Sequence, residues 1–177
     1  MAESFNATLL PHAKAARYAA LAEEIASVLD GEANLTARLA TVAAMLAQAF
    51  EHFFWSGFYL VDPARPDELV VGPYQGALGC LRIAFGRGVC GAAAAERRTL
   101  IVPDVEAFPG HIACDARSKS EIVLPVTDRN GVLLGVLDVD AETLAAFDEV
   151  DAEGLTRILR ETFGGWPASA GNGTSPQ

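Results

Sequence analysis

Residues 121–140 read EIVLPVTDRNGVLLGVLDVD, and this stretch decides the fold class. Two apolar runs, Glu121–Thr127 and Val132–Asp140, flank Asp128-Arg129-Asn130-Gly131. The runs suit strands, and Asn-Gly between them is a strong hairpin signal. With Asn130 and Gly131 as the two central residues of a type I′ turn, Arg129 pairs with Val132 and the register follows outward. Thr127 then faces Leu134, Pro125 faces Val136, Val123 faces Asp138 and Glu121 faces Asp140. Side chains alternate across a strand. One face therefore carries Ile122, Leu124, Val126, Leu133, Leu137 and Val139, and is expected to pack on helices. The other gathers Glu121, Asp138 and Asp140.

Like charges directly opposed in a sheet destabilise it by about 0.2–1 kcal/mol, so the cluster calls for a reason. A solvated face with counter-charges nearby is one reading. A site for a cation, or for a carboxyl kept protonated by its neighbours, is a second. A metal site is a third, since carboxylates suit Mg or Ca, although the adjoining loop offers few further oxygen ligands.

Outward from the hairpin, the first third of the chain is helical. Leu21, Ile25, Val28 and Leu29 recur at helical spacing up to Asp30-Gly31, and Asn34 is a good N-cap for a helix carrying Leu35, Leu39, Val42, Leu46 and Phe50. Strands are expected at Phe53–Val61, Glu68–Val71, Leu81–Phe85 and Leu100–Val102, with a short helix over Gly88–Arg97. Asp104–Lys119 lacks periodicity and is expected to be a loop over the sheet, of a length that is often functional. Leu155, Ile158 and Leu159 mark a last helix to about Phe163. This is an α+β pattern, a single domain over residues 1–163, with a Gly-, Ser- and Pro-rich tail, 164–177, expected to be disordered.

Hydrophobic residues make up 51% of the 177 and charged residues 20%, the composition of a soluble globular chain. A net charge of −10 argues against nucleic acid as a partner. No stretch approaches a membrane span and no secretion signal is apparent, so a cytoplasmic protein is expected. Thiols stay reduced there, and three cysteines, Cys80, Cys90 and Cys114, argue against a structural disulfide framework. Each taken singly reads as a small buried hydrophobe. Together, in the central region beside the acidic hairpin, they favour redox chemistry. Zinc on His111, Cys114, Cys80 and Cys90 is a weaker rival, because no Cys-x-x-Cys spacing is present.

Several motifs carry a resemblance to a known family. Phe54-Trp55-Ser56-Gly57-Phe58-Tyr59-Leu60, Gly72-Pro73-Tyr74-Gln75-Gly76, Gly86-Arg87-Gly88-Val89-Cys90-Gly91, Pro109-Gly110-His111-Ile112-Ala113-Cys114-Asp115, Ser120-Glu121-Ile122-Val123 and Gly135-Val136-Leu137-Asp138-Val139-Asp140 resemble the free methionine-(R)-sulfoxide reductases, over about residues 12–163. Ala77 and Ala141 depart from the more usual polar residues. The resemblance implies a GAF-like fold, with helices from both chain ends on one sheet face and the ligand pocket on the other. It also implies reduction of free L-methionine-(R)-sulfoxide, thioredoxin as the recycling partner, a homodimer, and neither cofactor nor metal. In that family the cysteine matching Cys114 is the nucleophile and the one matching Cys80 resolves it. Cys90 matches a third whose role varies, one option being to pass the disulfide toward the reductant. The carboxylates of Glu121, Asp138 and Asp140 would then protonate the sulfoxide and hold the free ammonium. Trp55 would pack on the S-methyl group or simply fill the core, Tyr59 reads as core, and His111 would lower the thiol pKa or bond backbone. The competing class is a GAF module that senses a small molecule without turnover. A chain with no room for an output domain disfavours it.

Overall fold

The computed structural model describes residues 11–110 and 115–166. Helix α1 spans Pro11–Val28 and α2 spans Leu35–Ala49. Between them the chain turns at Gly31 with a φ of +72°, and the Asn34 side chain accepts from the Ala37 N–H at 3.0 Å, satisfying a donor at the start of α2. The strands β1 (Trp55–Asp62), β2 (Arg65–Gln75) and β3 (Arg82–Ala84) follow, then α3 (Gly88–Glu96) and β4 (Leu100–Val102). A short 3₁₀ turn, Val105–Ala107, leads toward β5 (Ser120–Thr127), β6 (Leu133–Ala141) and α4 (Glu149–Phe163). All strand pairs are antiparallel and form one six-stranded sheet, ordered β3-β2-β1-β6-β5-β4. None of the described helices is long and apolar enough to cross a membrane.

The two sheet faces are differently covered. Leu21, Ile25, Leu39, Leu46 and Leu155 from α1, α2 and α4 share one buried cluster with Phe58, Ile122, Leu124, Leu137 and Val139 of the sheet. On the opposite face α3 lays Val89, Cys90 and Ala93 over Val123 and Val136. The expected α+β arrangement, with helices from both chain ends on one face, is what forms.

Polar chemistry fixes α1 against α4. Asp148 and Asp151 make a capping box at the start of α4. The buried Lys14 ammonium donates to Asp148 at 2.7 Å and to Asp151 at 2.8 Å, and the Tyr18 hydroxyl donates to Asp151 at 2.9 Å. The fully buried Asp151 is thus held by a charge and a hydroxyl, as a buried anion requires. At the other end of α4, Arg38 donates to the carbonyls of Glu32, Thr162 and Leu29 and stacks over the Trp166 ring at 5.3 Å.

The β5–β6 hairpin departs from a type I′ turn. That turn needs positive φ at both central residues, but in the hairpin loop only Gly131 has it, at +75°. The Gly131 N–H donates to the Asp128 carbonyl, and the Asp128 N–H to the Val132 carbonyl. Asp128 Oδ1 accepts from the N–H groups of Asn130 and Val132. Asp128 caps its own loop, so Asp128, not Arg129, lies opposite Val132. A second irregularity, between Val126 and Thr127, leaves Leu134 as the extra residue on β6. Thr127 faces Leu133, yet Val126 faces Gly135 and Glu121 faces Asp140. The bulge cancels the slip of the turn. Its cost to the sequence reading is one residue: Leu133 lies in the α3-side cluster, and Leu134 packs toward the helices instead, because a one-residue shift exchanges faces.

β2 is longer than the sequence suggests, since Gly72-Pro73 does not end it. The strand shifts register between Gly57 and Tyr59, and a bulge is a place where a sheet tolerates proline.

Candidate active site

On the α3 side of the sheet, β5 contributes Glu121 and β6 contributes Asp138 and Asp140. Glu121 stands directly across from Asp140, and one oxygen of each of the three carboxylates lies within 4.8 Å of the others. Glu121 and Asp138 are each only 6% exposed, and Asp140 is half-buried. Among the described residues, no other group of three histidine, cysteine or acidic side chains is close enough to share an ion.

β1 supplies the neighbouring wall. Trp55 pairs with Asp140, and Gly57 with Asp138. A side chain at Gly57 would meet Tyr74 Cβ at 2.2 Å and Trp55 Cη2 at 2.8 Å. Its absence lets the Trp55 ring stack on Tyr74 at 5.2 Å and on Tyr59 at 5.6 Å. Trp55 Nε1–H donates to the Ala77 carbonyl at 3.0 Å, which fixes the indole plane. The Tyr59 hydroxyl accepts from the Cys80 backbone N–H.

The opposite wall is the first turn of α3. Gly91 brings this helix close to β3, since a Cβ there would sit 2.3 Å from the Ala84 carbonyl oxygen. Arg87, the N-cap, makes no side-chain cap bond, so the first N–H groups of α3 remain available to an anion. Cys90 follows three residues after Arg87, and it lines the same cavity as Asp138. Between these walls is a cavity of about 50 Å³, lined by Trp55, Tyr59, Cys90 and the three carboxylates, with Arg87 and Gly88 at its edge.

The three carboxyls experience different surroundings. Burial, then the charges of Asp138 and Asp140, pushes Glu121 well above the usual carboxylate range, and among the described residues no hydrogen bond to it opposes the shift. Burial and the charge of Asp140 push Asp138 up too, with the Cys90 thiol opposing. Asp140 is pushed up to about 6 by burial, opposed by the Ser118 hydroxyl, which donates to its Oδ1. Asp138 Oδ1 is buried and has no hydrogen-bond partner among the described residues. Burial and the charge of Asp138 raise the Cys90 thiol well above its ordinary value, so it stays protonated.

Cys80 is half-buried, between the exposed Leu78 and Leu81, and it follows the cavity-lining Gly79. Cys114 and His111 lie outside the described residues, as does any zinc site that needs them. The chain resumes at Asp115, a cavity-lining residue. Asp115 accepts from the Arg117 guanidinium, which lies over the Phe54 ring at 4.4 Å.

A family profile described as GAF domain matches residues 33–161. The free methionine-R-sulfoxide reductase of Escherichia coli (strain K12) is 42% identical over 144 residues, covering 81% of this chain and 85% of its own. The structure of a free methionine-R-sulfoxide reductase from Neisseria meningitidis in complex with its substrate superposes with a TM-score of 0.80 at 51% identity, covering 84% of this chain and 87% of that one. The chain belongs to the GAF-domain family of free methionine-R-sulfoxide reductases. GAF domain-containing protein A of Dictyostelium discoideum is 54% identical over 147 residues, covering 83% and 90%.

In this family member the structure brings together Glu121, Asp138, Asp140, Trp55 and Cys90, and Cys80 follows the lining residue Gly79. Sequence reasoning did not single out Ser118 or the α3 N-terminus. A serine in an aperiodic loop carries no local signal, and unfilled helix donors become visible only once Arg87 is seen to leave them uncapped. Tyr59 belongs to the core, as the sequence suggests, and also lines the cavity. Gly57 did offer a signal, because glycine inside an aromatic strand often marks a close approach.

Proposed function

We propose that the protein reduces free L-methionine-(R)-sulfoxide to L-methionine by cysteine thiol chemistry. The observation that carries this reading is the buried carboxylate trio with its unequal supply of hydrogen-bond donors, in a chain of this family. A sulfoxide is a poor electrophile until its oxygen is protonated, so the site needs a carboxyl that is neutral near pH 7. Glu121, which receives no donor among the described residues, fits that role, and the opposing Asp140 stands beside Trp55 where the S-methyl group would pack.

The amino-acid head fits the deeper end. Asp138 Oδ1 is a buried acceptor without a partner among the described residues and suits an ammonium. The uncapped α3 N-terminus suits the carboxylate. A methionine within a peptide has neither free group, which accounts for selectivity toward the free amino acid.

In the chemical step the Cys114 thiolate bonds the sulfoxide sulfur as Glu121 gives its proton to the oxygen. The methionine S–O bond then breaks as oxygen passes to the cysteine sulfur, leaving methionine and a sulfenic acid. The Cys80 thiol attacks that sulfenic sulfur, forming a disulfide and releasing water. A dithiol reductant, thioredoxin in this reading, returns both to thiols in the cytoplasm. Residues 1–163 act as one catalytic domain.

The test is incubation of reduced protein with racemic free methionine sulfoxide and dithiothreitol, both diastereomers being followed by chiral chromatography. Consumption of the R form alone, abolished by Cys114→Ser, is expected. If freshly reduced protein consumes neither form, the reading fails and a sensing GAF module takes its place.

A further inference from the structure

The carboxylate trio has the spacing and the unmet demand of a metal site. Among the described residues no ion pair includes Glu121, Asp138 or Asp140. Asp138 is 6% exposed, it lines the cavity, and its Oδ1 is buried without a hydrogen-bond partner among those residues. A buried acceptor in that state costs free energy until something meets it, and beside two further carboxyls the fitting occupant is a cation. Size narrows the choice. One oxygen from each of the three lies within 4.8 Å of the others. An ion with bonds of about 2.3–2.6 Å, the calcium range, bridges oxygens up to about 5 Å apart, whereas magnesium bridges only about 4 Å. The cavity of about 50 Å³ has room for such an ion and about two waters. With the carboxylates binding through one or both oxygens, that completes a calcium-like shell of oxygen ligands. All three side chains stand on paired strands, Glu121 across from Asp140, so the sheet and not a loop holds their spacing.

We propose that Glu121, Asp138 and Asp140 form a binding site for a divalent cation of calcium's size, which enters in place of the substrate ammonium. The ion is a competitor and not a cofactor, since the reduction proposed above needs no metal. Its competition with substrate rests on the reading that Asp138 takes the ammonium, whereas its binding does not. Ammonium and metal answer to the same negative charge but differ in geometry. An ammonium donates along three directions, while a metal ion gathers oxygens from all sides and so engages Glu121 together with the two aspartates. Ligating carboxylates are deprotonated, so the bound ion also takes from Glu121 the proton that the reduction would use.

The first test needs no turnover. Calcium chloride is titrated calorimetrically into the reduced, chelator-treated protein at about pH 8, where carboxylates ionise more readily. One ion per chain is expected, with a Kd of about 10⁻⁴–10⁻³ M or tighter. Asp138→Asn should weaken binding at least about tenfold, the loss of one charged contact, and it removes charge from a buried cluster, so the variant folds. Glu153→Gln, on the exposed face of α4, should leave binding unchanged. No binding up to about 10 mM calcium, above the range of weak protein sites, overturns the proposal. So does binding that Asp138→Asn leaves intact. The second test is steady-state reduction of free methionine sulfoxide at several calcium concentrations. Apparent KM should rise in proportion to calcium with kcat unchanged, and calcium that binds but lowers kcat with KM unmoved overturns the competition. Binding lost in Asp138→Asn, in a chain that reduces no sulfoxide, upholds the metal site and faults the proposed function alone.

Discussion

Glu121 and Asp140 face each other across β5 and β6, and among the described residues only Asp140 receives a hydroxyl donor, from Ser118. That asymmetry gives two carboxyls in nearly the same place different surroundings. If Glu121 is the proton source, as proposed, Glu121→Gln removes it but keeps the shape, so kcat should fall by about 10²–10⁴ with KM changed far less. Steady-state kinetics on the free sulfoxide decides it, and a variant with unchanged kcat would move the acid elsewhere.

The Ser118 contact makes a pH prediction. Asp140 ionises at about 6, so kcat/KM should rise with pH through that region if its anion is the active form. The hydroxyl favours the anion, so Ser118→Ala should displace this limb to higher pH. A limb that stays in place would detach it from Asp140.

The same cluster shapes stability. Folding raises the pKa of Glu121, Asp138 and Asp140 above their ordinary values, so below pH 4 their protonated forms cost the fold no charge burial. As pH rises through about 6 and beyond, the unfolded chain ionises more readily and stability is lost. Asp138→Asn should therefore stabilise the protein by about 1–3 kcal/mol at pH 7–8, with little effect near pH 4. Urea unfolding at the two pH values measures this, and equal effects at both would contradict it.

Trp55 offers a milder test. Trp55→Phe keeps an aromatic face but loses the bond to the Ala77 carbonyl. A sulfur–aromatic contact is worth about 0.3–1.5 kcal/mol, so KM should rise by roughly two- to tenfold with the disulfide chemistry intact. An unaltered KM would place the S-methyl group elsewhere.

Away from the cavity, Lys14→Met strands the buried Asp151 carboxylate. The expected loss is about 3–5 kcal/mol of unfolding free energy, read by denaturant titration, while KM of the folded enzyme stays near its original value. A loss below 1 kcal/mol would mean that water or Tyr18 suffices for Asp151.

The sequence made the acidic trio legible because a two-residue period in a hairpin projects straight onto sheet faces. Counting from Asn130-Gly131 reached Glu121 opposite Asp140 because the bulge at Leu134 offsets the one-step slip of the turn. The turn itself was less legible: Asp128 serves as its own cap, and a side-chain bond to local N–H groups competes with turn propensity. The course of β2 past Pro73 was hidden for a related reason, because only the paired strand reveals that the proline falls at a register shift. The separate surroundings of the carboxyls come in part from Ser118, which lies 22 positions from the Asp140 it touches, and no local pattern encodes such a contact.

The paired irregularities in the β5–β6 hairpin impose a parity rule on its length. The loop sets the pairing one step off, and Leu134 sets it back. Any insertion or deletion of a single residue on either side of Leu134 would change odd into even and turn Asp138 and Asp140 toward the helices, with Leu137 and Val139 taking their place at the cavity. Two such changes, one at the tip and one at the bulge, would leave the site intact. Tip and bulge should thus behave as one inherited unit, free to vary in concert and not alone.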